Sequence, residues 1–206
     1  LRGNPMAGAF VDFQEGHWQW RATAAQMTFK HDLPAPVSTL QAGLRAFGAN
    51  SAADALSLKD KTSRFYSLGA VYDHGPLQIQ GMLAETHHES VSYQNTRAGY
   101  LLAAYRWQQV TPFIGYSWTR SKAKALASGL PNIPAFSDLN DGLAGVHTDQ
   151  KTYTFGTRWD FRKDMALKAQ LDVIRGTPES IFLYPTWSSQ FDGKLKVFSL
   201  ALDFVF

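Results

Sequence analysis

The stretch at residues 197–206 reads VFSLALDFVF and places an apolar side chain at almost every second position. The residues that share one face are Phe198, Leu200, Leu202, Phe204 and Phe206. Strict alternation over about ten residues predicts a β-strand with one continuous apolar face. A strand of about ten residues also has the length that a tilted strand needs to cross a bilayer. The stretch therefore predicts a membrane-spanning β-strand.

Eight further segments alternate apolar and polar residues between turn signals. In chain order they are residues 8–14, 17–31, 62–73, 77–85, 98–108, 111–120, 151–162 and 165–175. A soluble β-barrel or sandwich is the structural alternative, because antiparallel sheets in water alternate too. Strands of soluble sheets are usually nearer five or six residues, and connections of about thirty residues are uncommon in compact soluble folds. The length of the segments and loops therefore favours a membrane barrel.

The connections between these segments alternate between short turns and long loops. Short turns follow the first, third, fifth and seventh segments, which is typical of outer-membrane barrels with periplasmic turns and extracellular loops. We predict an all-β fold, an antiparallel transmembrane β-barrel with about nine strands, as a single domain over residues 1–206. Because bacterial single-chain barrels have an even strand number, we expect the C-terminal part of a larger barrel with roughly 14 to 18 strands.

The longest loop contains a short helical pattern. Val37, Leu40, Leu44 and Phe47 are spaced as one face of a helix, and Gly48 closes it. Two interpretations stay open: the helix folds into the lumen and narrows it, or it packs on the rim or on a neighbouring subunit.

Composition excludes several functional classes. The chain has no cysteine, which excludes disulfides, cysteine-ligated zinc and thiol catalysis. A formal net charge of +3 without a basic run or recognition motif argues against nucleic acid as a partner. Aromatic residues make up 14% of the chain, which suits the aromatic girdles of a membrane barrel.

Polar residues on the face opposite the apolar one are candidates for lining a pore. A water-filled lumen needs polar walls, and rings of charge set its ion preference. The alternative is that these residues pair across strands and only keep the interior polar. The pore-lining candidates are Gln19, Arg21, Arg106, Arg158, Asp160, Lys168, Gln170, Asp172 and Asp203.

No cofactor, metal site or catalytic site is predicted. The six histidines are scattered, with no His-x-x-x-His pair and no carboxylate cluster nearby. The sequence contains no Gly-x-Ser-x-Gly motif and no recognisable arrangement of serine and histidine. We therefore predict that the protein is not an enzyme, and an outer-membrane barrel hydrolase is the least favoured alternative.

Three segments together resemble the C-terminal strands of proteobacterial outer-membrane porins and of a group of porin-like proteins. They read TFGTRWDF at residues 154–161, ALKAQLD at residues 166–172 and FSLALDFVF at residues 198–206. The resemblance implies a passive channel for small hydrophilic solutes or ions in the outer membrane of a Gram-negative bacterium. It also implies contact with outer-membrane lipid, a homotrimer, and recognition of Phe204 and Phe206 by the β-barrel assembly machinery. A structural, adhesion or receptor barrel with a plugged lumen stays the alternative.

Overall fold

The computed structural model describes residues 3–122, 126–143, 147–177 and 192–205. Within these ranges, nine strands form one antiparallel sheet in which each strand pairs with its neighbours in sequence. The strands are β1 Met6–Glu15, β2 Trp18–Thr28, β3 Thr62–His74, β4 Leu77–His88, β5 Thr96–Tyr105, β6 Val110–Ser121, β7 Asp149–Arg162, β8 Met165–Gly176 and β9 Lys194–Phe204. Each of the nine predicted strands is therefore confirmed, with differences of a few residues at most ends.

Tight turns join the strands in hairpins at one end of the sheet. Gly16 between β1 and β2 has a φ of 57°, and Gly75 between β3 and β4 has a φ of 56°. These left-handed conformations are the ones that two-residue hairpin turns require and that glycine adopts most readily. The long connections leave from the opposite end, which we call the long-loop edge.

The strand register gathers large apolar side chains on one face of the sheet. Ile114 pairs with Phe155, Phe155 with Leu171, and Leu171 with Phe198 across β6 to β9. All four residues are exposed, and Phe198 has 69% of its surface accessible. A continuous exposed apolar face of this extent suits contact with lipid better than contact with water. We call this face of the sheet the outer face and the opposite one the inner face.

The long loops carry three helices that pack on one another beyond the strand ends. They are α1 Val37–Ala46, α2 Asn50–Ala55 and α3 Ser137–Leu143. Leu44 and Ala53 are fully buried, and they pack with Leu56 and Leu143 in a small apolar core. We call these three helices the loop cap. The predicted helix from Val37 is confirmed as α1, whereas α2 and α3 were not predicted.

The sheet is open in the part of the chain that the structure describes. Its two outermost strands, β1 and β9, each pair with a single neighbour, β2 and β8 respectively. No helix among the described residues is long and apolar enough to span a membrane.

Candidate functional site

The inner face of the sheet carries the residues that were predicted to line a pore. Strand register places seven of them on this face of β2, β7, β8 and β9. Asp160 lies at the register shift of β7 and contacts Arg158, and Arg106 follows β5 at the turn end. Arg158 lies directly opposite Lys168, and Gln170 lies opposite Gly156. The structure therefore brings the candidates together as a polar wall, most of which is arranged in side-chain pairs.

Arg158 is the centre of the densest charged cluster on the inner face. Its Nε donates a hydrogen bond to Asp160 at 2.9 Å, and its Nη1 donates one to Asp203 at 3.0 Å. All three side chains are about half exposed, so water reaches the whole cluster. Ion pairs this accessible add little stability, about 0 to 1 kcal/mol each. Their main physical effect is to place charge of both signs on the wall.

Two further arginines of the inner face each hold one aspartate. Arg21 of β2 forms a two-pronged pair with Asp12 of β1, at 2.6 and 2.7 Å. The Arg21 guanidinium also lies 4.8 Å from the ring centre of Phe10. At the turn end, Arg106 reaches both carboxylate oxygens of Asp73 at 2.7 Å. Flat guanidinium groups suit this geometry because their N–H donors match the two carboxylate oxygens.

The remaining candidates on β8 belong to a second polar strip. Asp172 accepts a hydrogen bond from Thr154 at 2.6 Å and another from the Gln170 amide at 2.8 Å. The Lys168 ammonium lies 5.2 Å from the ring centre of Phe113, within the range of a cation–π contact. Of these contacts, Asp172–Thr154 joins neighbouring strands, whereas Gln170 and Asp172 pair along one strand.

Sequence reasoning missed the partners Asp12 and Asp73, although both lie on predicted strands. The signal that would have found them is register: once β1 is paired with β2, Asp12 faces Arg21 directly. A shallow cavity of about 300 Å³ also lies beside Arg21 on the inner wall. Gly69, Met82 and Tyr100 are among the residues that line this cavity.

The loop connecting β2 to α1 is held at the long-loop edge by Asp32. Its carboxylate accepts hydrogen bonds from the Ser57 hydroxyl at 2.8 Å and from the backbone N–H groups of Leu58 and Lys59 at 2.6 and 3.1 Å. Partial burial alone would raise the pKa of Asp32, but these hydrogen bonds outweigh it and hold the pKa below its ordinary value. The ionised form of Asp32 therefore stabilises the loop.

The loop cap does not rest on the inner wall in the described part of the chain. Among the described elements, α1 contacts α2 and α3, α3 also contacts a short 3-10 helix at Pro134–Phe136, and none of the three contacts a strand. The Ser92 hydroxyl donates to the backbone carbonyl of Leu56 and ties the cap to the loop after β4. These contacts agree with the predicted position of α1 at the rim. Within the described residues, α1 makes no contact with a strand that would support its insertion into the lumen.

The structure describes one of the two residues of the predicted assembly signal. Phe204 ends β9 on the outer face with 61% of its side chain exposed. Phe206 lies outside the described residues. Within the described residues, no group of three or more His, Cys, Asp or Glu side chains is arranged to hold a metal ion.

Comparison with solved structures shows what this sheet resembles. No protein-family model matches the chain, and no curated protein matches it. One matching structure is in-vitro folded OmpT, an outer-membrane protein of Vibrio cholerae in a trimer form, with a TM-score of 0.55 over 84% of this chain and 46% of that one. Another is outer-membrane expressed OmpT of Vibrio cholerae, with a TM-score of 0.58 over 98% of this chain and 56% of that one. Both are 12% identical to this chain, which spans about half of their length.

An identity of 12% shows the fold alone. The predicted antiparallel fold of outer-membrane β-barrels is confirmed, and the predicted bacterial outer-membrane location is the location of both matched proteins. The broader part of the predicted resemblance, to outer-membrane β-barrels, is confirmed as well. The narrower resemblance to porins is not addressed by these matches.

The prediction that the protein is not an enzyme is wrong, because the reasoning behind it does not exclude catalysis. It rested on motifs missing from the sequence. Both matched structures are OmpT, an outer-membrane protein of Vibrio cholerae, and a missing motif excludes no activity on a barrel of this fold. A fold match at 12% identity conveys no site residues, because one fold supports many functions. Hydrolytic activity therefore stays open for this chain.

Proposed function

We propose that this protein is an outer-membrane channel that lets small hydrophilic solutes or ions cross by passive diffusion. One observation carries the proposal: the register separates an exposed apolar outer face from an inner face that carries the candidate polar residues of β2, β8 and β9 and Arg158 of β7. A wall of that kind encloses water in a large barrel. Solutes then pass according to pore width and the balance of lining charges.

The charges on the inner face favour mild selectivity over a single strong ion preference. Arg158 lies between Asp160 and Asp203, and Arg21 and Arg106 each have an aspartate partner. Cations and anions therefore meet charge of both signs on the same wall. Removing one of these charges is expected to change the ion preference measurably.

The nine strands form part of a larger, closed barrel in this proposal. An open sheet leaves the outer edges of β1 and β9 with backbone groups that a bilayer cannot satisfy, and closure removes both edges. The matched proteins are about twice as long as this chain. A homotrimer is the oligomer we propose, since one matched structure is described as a trimer form.

A structural or receptor barrel with a closed lumen is the second candidate. The loop cap favours it, because a set of loop helices with its own apolar core is suited to cover an opening or to present a binding surface. In that case the inner face serves only to keep a plugged interior polar.

Conductance in planar bilayers separates the two candidates. We expect the purified, folded full-length protein to conduct, and a variant lacking residues 34–58 to conduct as well or better. A closed wild-type protein that conducts only after this deletion would support the receptor barrel. A folded protein that conducts in neither form would contradict both the channel and the capped lumen. Peptide and ester hydrolysis should be measured on the same preparations, because turnover would identify a hydrolase.

A further inference from the structure

Four basic side chains cluster on the outer face at the long-loop edge of β7, β8 and β9. Lys151 pairs in register with Arg175, and Arg175 pairs with Lys194. Lys196 lies two residues further along β9, which returns it to the same face. Arg175, Lys194 and Lys196 are exposed, and Lys151 is partly so. We call these four residues the basic patch.

The basic patch differs from the rest of the long-loop edge in its excess positive charge. On the outer face at the long-loop edge of β3, β5 and β6, each arginine has an acidic partner. The pairs are Arg64–Glu89 at 3.1 Å, Arg97–Glu85 at 2.7 Å and Arg120–Asp149 at 3.4 Å. In the basic patch, the ion pair found among the described residues joins Lys194 to Asp192 at 3.0 Å. Positive charge is therefore concentrated at one part of the rim.

Apolar side chains lie immediately below the basic patch on the same face. Tyr153, two residues beyond Lys151, lies opposite Val173, which in turn lies opposite Lys196. Phe198 follows Lys196 on this face and is among the most exposed large apolar residues described. Long basic side chains above an apolar surface suit a boundary between headgroups and acyl chains, where their stems contact lipid and their charges reach the polar layer.

We propose that the basic patch binds a phosphate-bearing lipid headgroup of the outer leaflet. The charge is complementary to phosphate, and the Arg175 guanidinium can donate two parallel hydrogen bonds to it. The apolar surface beneath Phe198 accommodates the acyl chains of the same lipid. A solute inside the lumen does not reach these residues, because they point away from the inner face. The proposal rests on the outer face meeting the bilayer and is independent of whether the lumen conducts.

Native mass spectrometry of the detergent-purified full-length protein tests the proposal. Phosphatidic acid, phosphatidylcholine and inorganic phosphate are the probes. We expect the wild-type protein to bind phosphatidic acid at least tenfold more tightly than phosphatidylcholine. In the double variant R175Q/K196Q, the affinity for phosphatidic acid is expected to fall about 30-fold, which corresponds to about 1 kcal/mol for each basic residue removed.

The matched control is the double variant R162Q/K163Q at the β7–β8 turn. It removes the same charge at the opposite, turn end of the sheet, and it should bind phosphatidic acid as the wild type does. Equal losses in the two double variants would overturn the proposal, because general attraction to a basic protein would then explain the binding.

Two further outcomes count against the proposal. Inorganic phosphate that displaces phosphatidic acid at equal concentration would identify a free-anion site instead of a lipid site. A changed oligomeric state of R175Q/K196Q without a change in lipid affinity would assign the surface to contact between copies of the chain. If R175Q/K196Q does not fold, the wild-type comparison of phosphatidic acid with phosphatidylcholine decides alone, and equal affinities there refute the proposal.

Discussion

Replacing Arg158 by alanine is expected to raise the preference of the channel for cations over anions. The substitution removes one positive charge from the inner face and leaves Asp160 and Asp203 without their shared partner. The three side chains are exposed enough for the fold to tolerate the loss of both ion pairs, which we expect to cost at most about 2 kcal/mol of stability. The change in ion preference is therefore separable from misfolding.

Coulomb's law sets the size of the effect of the Arg158 substitution. An ion that passes about 8 Å from a unit charge in water gains or loses about 0.5 kcal/mol. Cations gain and anions lose this amount, so the permeability ratio changes by about 5-fold when salt is very dilute. At 0.1 M salt the Debye length is about 10 Å, and screening reduces the expected change to about 2-fold. At 1 M salt the change is expected to vanish.

Reversal potentials across planar bilayers under a KCl gradient measure this ratio. The variant R158K keeps the charge and should retain the wild-type ratio, whereas D203N removes a negative charge and should shift the ratio toward anions. A folded R158A protein with an unaltered ratio at 0.1 M salt would refute the placement of Arg158 on a conducting wall. The same conclusion would follow if R158A and R158K behaved identically.

Three further predictions concern stability. The variant G156A should lower the melting temperature, because an added Cβ would lie 2.1 Å from the Phe113 ring, whereas G115A is the control, with its nearest atom at 3.4 Å. L44A should weaken the loop cap by about 2 to 4 kcal/mol through the cavity it leaves, seen as faster hydrogen exchange in residues 37–56 with the strands unaffected. Asp32 has a lower pKa in the folded loop than in the unfolded chain, so its contribution is complete above its ordinary value of 3.8 and is lost as the pH falls through the folded value. The protection of residues 30–61 against hydrogen exchange, corrected for the intrinsic rate at each pH, should therefore fall below that pH in the wild type. The variant D32N should be less protected than the wild type above that pH and similarly protected below it. Unchanged exchange in D32N would disprove the role of the carboxylate.

The strands were predictable because their signal is local. Successive side chains of a strand point to opposite faces, so alternation within β7 or β9 can be read from adjacent residues without knowledge of any partner. The assignment of Arg158 and Asp203 to the same face follows from this alternation, as does the apolar face that includes Phe198. The helix α1 was predictable for the same reason, from the spacing of its apolar residues.

The helices α2 and α3 had no comparable signal. They are six and seven residues long, and helices this short are not stable on their own in water. Their stability comes from apolar residues that two separate loops bring together. Ala53 from one loop and Leu143 from the other meet in the core of the loop cap. Such a meeting depends on the positions of the strands that hold both loops.

The sequence by itself determined the strands, their two faces and the alternation of short and long connections, since these depend on neighbouring residues and backbone geometry. Only the tertiary structure decided which charges meet. Asp203 reaches Arg158 across 45 positions of chain, and Lys151, Arg175 and Lys194 share one row because of two strand registers. A shift of one residue in any register would move a whole strand's side chains to the other face. Pairing between distant strands is a cooperative property of the sheet, and no local pattern encodes it.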